Sequence, residues 1–216
     1  YYEKNDFKTF NQILDILEIF IFRRNTICHK DAKELEKLYA WLAKKIRRWE
    51  IGINEIKEEL YKRVPDDSEF MSNFESFETQ NSELAKYILY SIFQPTLRDL
   101  QINYSALHWE HIIPKKFMTD SEWIRINNSL KENGSDELLG DLVSKLWNFT
   151  LLLPEDNIRI SNWSFREKLK AYSISNIPEN KSLCEYESFS VEEVKERQKR
   201  FANEAIKIWN INSLKN

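Results

Sequence analysis

Two of the chain's three histidines and a carboxylate fall within four residues, in the segment His108-Trp109-Glu110-His111-Ile112-Ile113-Pro114. Further on come Trp147-Asn148-Phe149-Thr150-Leu151-Leu152-Leu153 and then Asn157. Together these residues offer a general base, a carboxylate and two amides. A neutral imidazole with an ordinary pKa near 6.5 can take a proton from attacking water. A carboxylate with an amide oxygen suits a hard, water-retaining ion such as Mg²⁺. That is the minimum set for metal-assisted cleavage of a phosphodiester, in which charge accumulates on the non-bridging and leaving oxygens.

The elements that position these groups can be read from the pattern around them. Only 3 Gly and 5 Pro stand among 216 residues, of which 31% are charged, and this suggests a helix-rich protein. Residues 7–28 form a dense apolar series that predicts a buried central helix, with a domain interface as the alternative use. Asp31 caps a helix expected to run to about Trp49, with Leu35, Leu38, Leu42 and Ile46 on one stripe. A further helix is expected from Ser82 to about Phe93, stopped by Pro95. After Asn103 the pattern changes. Ser105–Trp109 and Phe149–Leu153 are short aromatic or aliphatic runs that predict strands. Between them, residues 115–146 read as an insertion of two short helices broken at Asn133-Gly134. Asn157 to Tyr172 reads as loop, then helix. Ser190-Val191-Glu192-Glu193 is a capping box opening a last helix to about Trp209. The expected division is a helical domain over 1–103, a core over 104–172, and a C-terminal helical segment over 173–216.

Charge and cysteine content narrow the functional classes. With 32 basic and 35 acidic residues the net charge is −3, which argues against a protein that coats DNA along its whole surface. Local basic faces remain: Arg23-Arg24, Lys44-Lys45 with Arg47-Arg48, and Arg159, Arg166, Lys168 and Lys170. Cys28 and Cys184 are isolated, which supports neither a disulfide framework nor a zinc ribbon and fits a reduced, cytoplasmic protein. No apolar run reaches the roughly 20 residues of a membrane helix. The chain begins at Tyr1 rather than Met and reads as a piece of a longer protein.

Strand, long loop, strand and helix, with a histidine ending the first strand, resembles the ββα-metal (HNH, or His-Me finger) arrangement. The expected fold class is therefore mainly α, a helical bundle with an embedded ββα-metal nuclease core. More specifically, His111-Ile-Ile-Pro114, Asn148-Phe-Thr-Leu-Leu-Leu153, Asn157 and Asn162-Trp-Ser-Phe165-Arg-Glu-Lys168 resemble the C-terminal HNH nuclease domain of GmrSD-type restriction endonucleases. Glu18-Ile-Phe-Ile-Phe-Arg23-Arg24, Lys86-Tyr-Ile-Leu89 and the Arg197…Ala205…Trp209 helix extend that likeness over most of the chain.

The resemblance implies a Mg²⁺- or Mn²⁺-dependent DNA endonuclease acting on modified DNA in defence against phage. It implies His111 as general base, Glu110 and Asn157 as metal ligands, and Asn148 as the residue that holds the loop and orients the His111 ring. Lys168, with Asn162 nearby, would lie on the helix that faces the substrate phosphates. From the residues themselves, Arg159 and Arg166 read as further phosphate contacts or as a solvated helix face, and His108 as scaffolding in the first strand or an extra ligand. Where the family often has Gly before the strand asparagine, this chain has Trp147. Partners implied are DNA and an N-terminal nucleotide-hydrolysing or modification-sensing domain, with a homo-oligomer as a further possibility. Two alternatives stand beside this reading: a helical interaction or sensor module with a degenerate core, and an RNA-directed nuclease of the same chemistry.

Overall fold

The computed structural model describes residues 6–97, 102, 104–154, 160 and 162–215. These fall into two compact units, one built from residues up to Ser76 together with Ala202 onward, the other from Phe77 to Phe201. The helix Ser82–Leu97 falls in the same unit as the two strands.

The first unit is helical throughout: α1 (Phe7–Ile21), α2 (Lys33–Arg47), α3 (Ile53–Tyr61) and α4 (Asp67–Glu75). Its core gathers Ile16 and Phe20 of α1, Leu35, Leu38 and Leu42 of α2, Ile56 and Leu60 of α3, and Leu214. The long apolar series is not one buried helix. α1 gives way at Phe22 to a π-helical turn ending at Ile27, and Phe7, Leu14 and Ile21 lie exposed along one side. Arg23 lies in this turn. Its guanidinium is fully buried and donates to the Pro65 carbonyl (3.0 Å), the Trp209 carbonyl (2.9 Å) and Asp67 (2.7 Å). Arg24 is buried as well, on the Asp31 carbonyl (2.8 Å) and Glu34 (2.5 Å). Neither arginine forms a surface basic face, because a buried charge persists only when its donors are satisfied.

In the second unit, α5 (Ser82–Leu97) runs on past Pro95, which sits in its last turns. Then follow β1 (His108–His111), α6 (Ser121–Glu132), α7 (Leu139–Leu142), β2 (Phe149–Leu152), α8 (Phe165–Ile174), α9 (Pro178–Ser182) and α10 (Val191–Ile208), the last crossing the division between units. β1 starts later than its aromatic run suggested, since residues 104–106 form a 3₁₀ turn. The two strands pair antiparallel, with Glu110 opposite Thr150 and His111 opposite Phe149. Between them the insertion forms two helices, and Gly134 turns the chain after the first with φ +69°, a left-handed conformation that glycine adopts without strain. Ser190 opens α10 as expected: its amide and hydroxyl both donate to Glu193 (2.8 and 3.2 Å).

Asn180, fully buried in the first turn of α9, ties that helix to β2. Its amide donates to the Leu151 carbonyl (2.8 Å) and its carbonyl oxygen accepts from the Thr150 hydroxyl. Among the described residues both cysteines are free, Cys28 buried and Cys184 exposed. No helix among them is long and apolar enough to cross a membrane.

Candidate active site

Strand geometry decides which groups can work together. Side chains alternate across a strand, so β1 sends His108 and Glu110 to one face and Trp109 and His111 to the other. On the His111 face the imidazole packs against the Phe149 ring (centroids 4.7 Å apart) and the Trp109 ring (5.0 Å). Lys115, exposed just past Pro114, extends its ammonium over the same indole at 5.9 Å. Among the described residues no group hydrogen-bonds either ring nitrogen of His111. Burial between two aromatic rings, with the Lys115 and Lys168 charges adding to it, pushes the imidazole down to about 4. It is therefore neutral at pH 7 and can accept a proton.

That depression has a consequence for stability. The unfolded chain takes up this proton near pH 6.5 and the folded chain only near 4, so stability contributed by His111 is present above pH 6.5 and is lost as pH falls toward 4. The effect has a ceiling on the order of 3 kcal/mol. Thermal melts across pH 7 to 4 should therefore show a smaller acid loss for His111→Gln than for the wild type. Parallel curves for the two proteins would rule the buried neutral imidazole out.

The opposite face differs from what the resemblance implied. The Glu110 carboxylate is buried and accepts from the Lys168 ammonium at 2.6 Å, and the same ammonium donates to the His111 carbonyl at 2.5 Å. Lys168 is 0% exposed. Burial presses both groups toward their neutral forms, and the bond between them opposes it. Lys168 thus does not face phosphates. It shares the inner side of α8 with Phe165 and Tyr172, at the spacing of three and four that marks one helix face.

Asn148 is the hinge of the arrangement, but it does not touch the imidazole. Its side-chain oxygen accepts from the Ile113 amide (2.7 Å), while its NH₂ donates to the carbonyls of Ile113 (2.9 Å) and Val143 (3.2 Å). The Ile112 amide meets the Asn148 main-chain oxygen at 2.8 Å. Asn148 therefore fixes the backbone immediately after His111, and the ring only through it. Asn148→Leu should leave one amide and two carbonyls unpaired in the interior. At about 1 kcal/mol or more for each, a loss of about 3 kcal/mol in urea unfolding is expected, and a loss under 1 kcal/mol would show that the loop holds without it.

Arg197 of α10 completes this support, a role that sequence reasoning missed. It is fully buried and donates to the carbonyls of Trp147 and Phe149 (both 2.9 Å), the two residues flanking Asn148, while Glu179 balances its charge at 3.0 Å. Trp147 is accommodated without strain: the turn Leu146–Asn148 is 3₁₀, and Trp147 has no positive φ. The signal for Arg197 was its place in a helix that is otherwise amphipathic. The signal for Lys115 was Lys115-Lys116 directly after the His111-Ile-Ile-Pro segment.

Of the other expected contacts, Arg166 and Asn162 are exposed, and Arg166 lines a shallow hollow with Arg125, Ser121 and Glu122. Asn157 and Arg159 lie outside the described residues. His108 is exposed at the start of β1 rather than packed as scaffold. Among the described residues no group of three His, Cys, Asp or Glu side chains could hold a metal ion. Beside His111 they supply one carboxylate, and that carboxylate is engaged by Lys168.

No curated protein matches the chain. The family model for the C-terminal domain of GmrSD restriction endonucleases matches residues 64–204, which takes in β1, β2, α8 and every residue named at this site. That match covers more than half of the 216 residues, and the chain belongs to the GmrSD restriction endonuclease C-terminal domain family.

Proposed function

We propose that this chain is a nuclease domain that hydrolyses phosphodiester bonds in DNA, with His111 accepting the proton of the attacking water. The observation that carries the proposal is a neutral imidazole, free of hydrogen bonds among the described residues, at the end of a strand whose continuation is locked by Asn148. A ring with its pKa near 4 is a weak base on its own. A phosphate diester brought against it, carrying negative charge, favours the imidazolium and raises its basicity. Lys115 stands on the same face and supplies charge toward a phosphate. Family membership supports the reaction class, and the HNH subtype is part of the proposal.

Metal dependence also belongs to the proposal. A Mg²⁺ or Mn²⁺ ion would be held by Glu110 with Asn157, and would neutralise charge on the phosphate oxygens. The described residues alone do not form that site, because Glu110 must first part from Lys168. Attachment to a modification-sensing partner domain and a part in phage defence extend the same reading.

The rival reading, a module without catalysis, draws on that same Lys168–Glu110 bond, which leaves the carboxylate no free charge for an ion. The test is cleavage of plasmid DNA, and of RNA in parallel, by wild type and His111→Ala with Mg²⁺, Mn²⁺ or chelator. Metal-dependent cleavage that disappears with His111 supports the enzyme. Equal cleavage by both proteins counts against it.

A further inference from the structure

The family match begins at residue 64, so it leaves α2 unassigned. That helix carries a second feature that the site does not use. Leu35, Leu38 and Leu42 form its buried side. On the other side Lys33, Lys37, Trp41 and Lys44 are all exposed, and Arg48 continues the line from the C-cap. At 3.6 residues per turn these five positions fall within an arc of about 80°, and from Lys33 to Arg48 they span about 22 Å at 1.5 Å per residue. Among the described residues Lys33, Lys37 and Lys44 make no ion pair. Arg48 has only a long contact to Glu50 (3.7 Å). The acid that follows Lys33 is occupied elsewhere, since Glu34 holds Arg24 at 2.5 Å.

In a chain with net charge −3 this is a local concentration of one sign. Like charges at neighbouring positions on a helix repel one another. Lys44 and Arg48, near the C-terminal end, gain from the helix dipole, but Lys33 and Lys37 do not, and the aligned run is matched by an extended array of negative charge.

We propose that this α2 stripe binds the phosphate backbone of DNA, as a contact separate from the His111 site. One DNA strand carries a charge about every 3.4 Å along the helix axis, so a straight run of about 22 Å faces several phosphates in succession. Trp41 in the middle of the run offers its indole to a deoxyribose or base face. A membrane surface is the poorer fit, because a helix lying on lipid needs a broad free apolar face, and the apolar side of α2 is spent on the core.

The experiment measures binding of the full chain to a labelled DNA duplex in chelator, over a range of salt concentrations. The test variant is Lys33→Gln, Lys37→Gln, Lys44→Gln and Arg48→Gln together. The control removes equal charge at other exposed positions: Lys8→Gln, Lys62→Gln, Arg63→Gln and Lys207→Gln. Circular dichroism confirms that both remain folded. The expected result is a weakening of at least about tenfold near 0.1 M salt and a salt slope shallower by about 3.6, from about 0.9 for each of the four lost phosphate contacts, with a much smaller change in the control. An unchanged slope, an equal change in the control, or a loss confined to anionic phosphatidylserine vesicles overturns the proposal. Because cleavage is not read in chelator, the outcome is independent of whether His111 is catalytic.

Discussion

Lys168→Met should be the most destabilising single change at the strand pair, by about 3–5 kcal/mol in urea unfolding. The side chain that replaces lysine is close to it in volume, so no cavity opens. What is lost is the partner of a buried charge: Glu110 would keep its carboxylate in the interior without a cation. The His111 carbonyl would lose its 2.5 Å donor as well. A cost of this size is a large fraction of the stability of an ordinary domain, and for a chain of this length it lowers Tm by roughly 10 °C. Much of it should return in Lys168→Met with Glu110→Gln, because the second change removes the unpaired charge. A surface lysine that contacts phosphate would behave in the opposite way, weakening DNA binding with little effect on unfolding. Lys168→Met within 1 kcal/mol of wild type, or a double variant no more stable than the single, would show that the pair is not the bond described here.

The second large effect concerns catalysis. His111→Ala should lower the cleavage rate by about 10²–10⁴-fold, the usual worth of a positioned general base. The fold should hold, because the ring makes no hydrogen bond among the described residues and its removal exposes no buried charge. Its packing against Trp109 and Phe149 is the only loss expected. At acid pH even that loss is offset, since the variant no longer carries a group whose protonation opposes folding. Activity and stability should therefore separate at His111 and move together at Asn148 and Lys168, which act on the site through the backbone.

Much of this arrangement was legible in the sequence. Short aromatic or aliphatic runs bounded by polar residues located both strands, the first of them three residues too early, and Asn133-Gly134 marked the break in the insertion. Placement on a strand already separated Glu110 from His111, because adjacent strand residues face opposite ways. The direction of Lys168 was also encoded, in its spacing from Phe165 and Tyr172, but a lysine on a helix is by default read as solvated.

What sequence could not supply were the long-range bonds. Arg23 reaches Pro65 and Trp209, and Arg197 reaches Trp147 and Phe149, across chain separations that no local pattern records. Such arginines look like surface charge in a sequence and become buried only because carbonyls from distant segments converge on them. For the same reason the apolar run 7–28 overstated its burial: hydrophobicity on every side shows what a helix could cover, not which side the fold leaves open.

Chemical rescue of His111→Ala by imidazole tests the central assignment most directly, because only a missing proton acceptor can be replaced from solution. Cleavage of a plasmid should be nearly abolished in the variant and return in part as neutral imidazole is added, while the wild type is unaffected by the same addition. Cleavage by His111→Ala at the wild-type rate without imidazole would contradict the account.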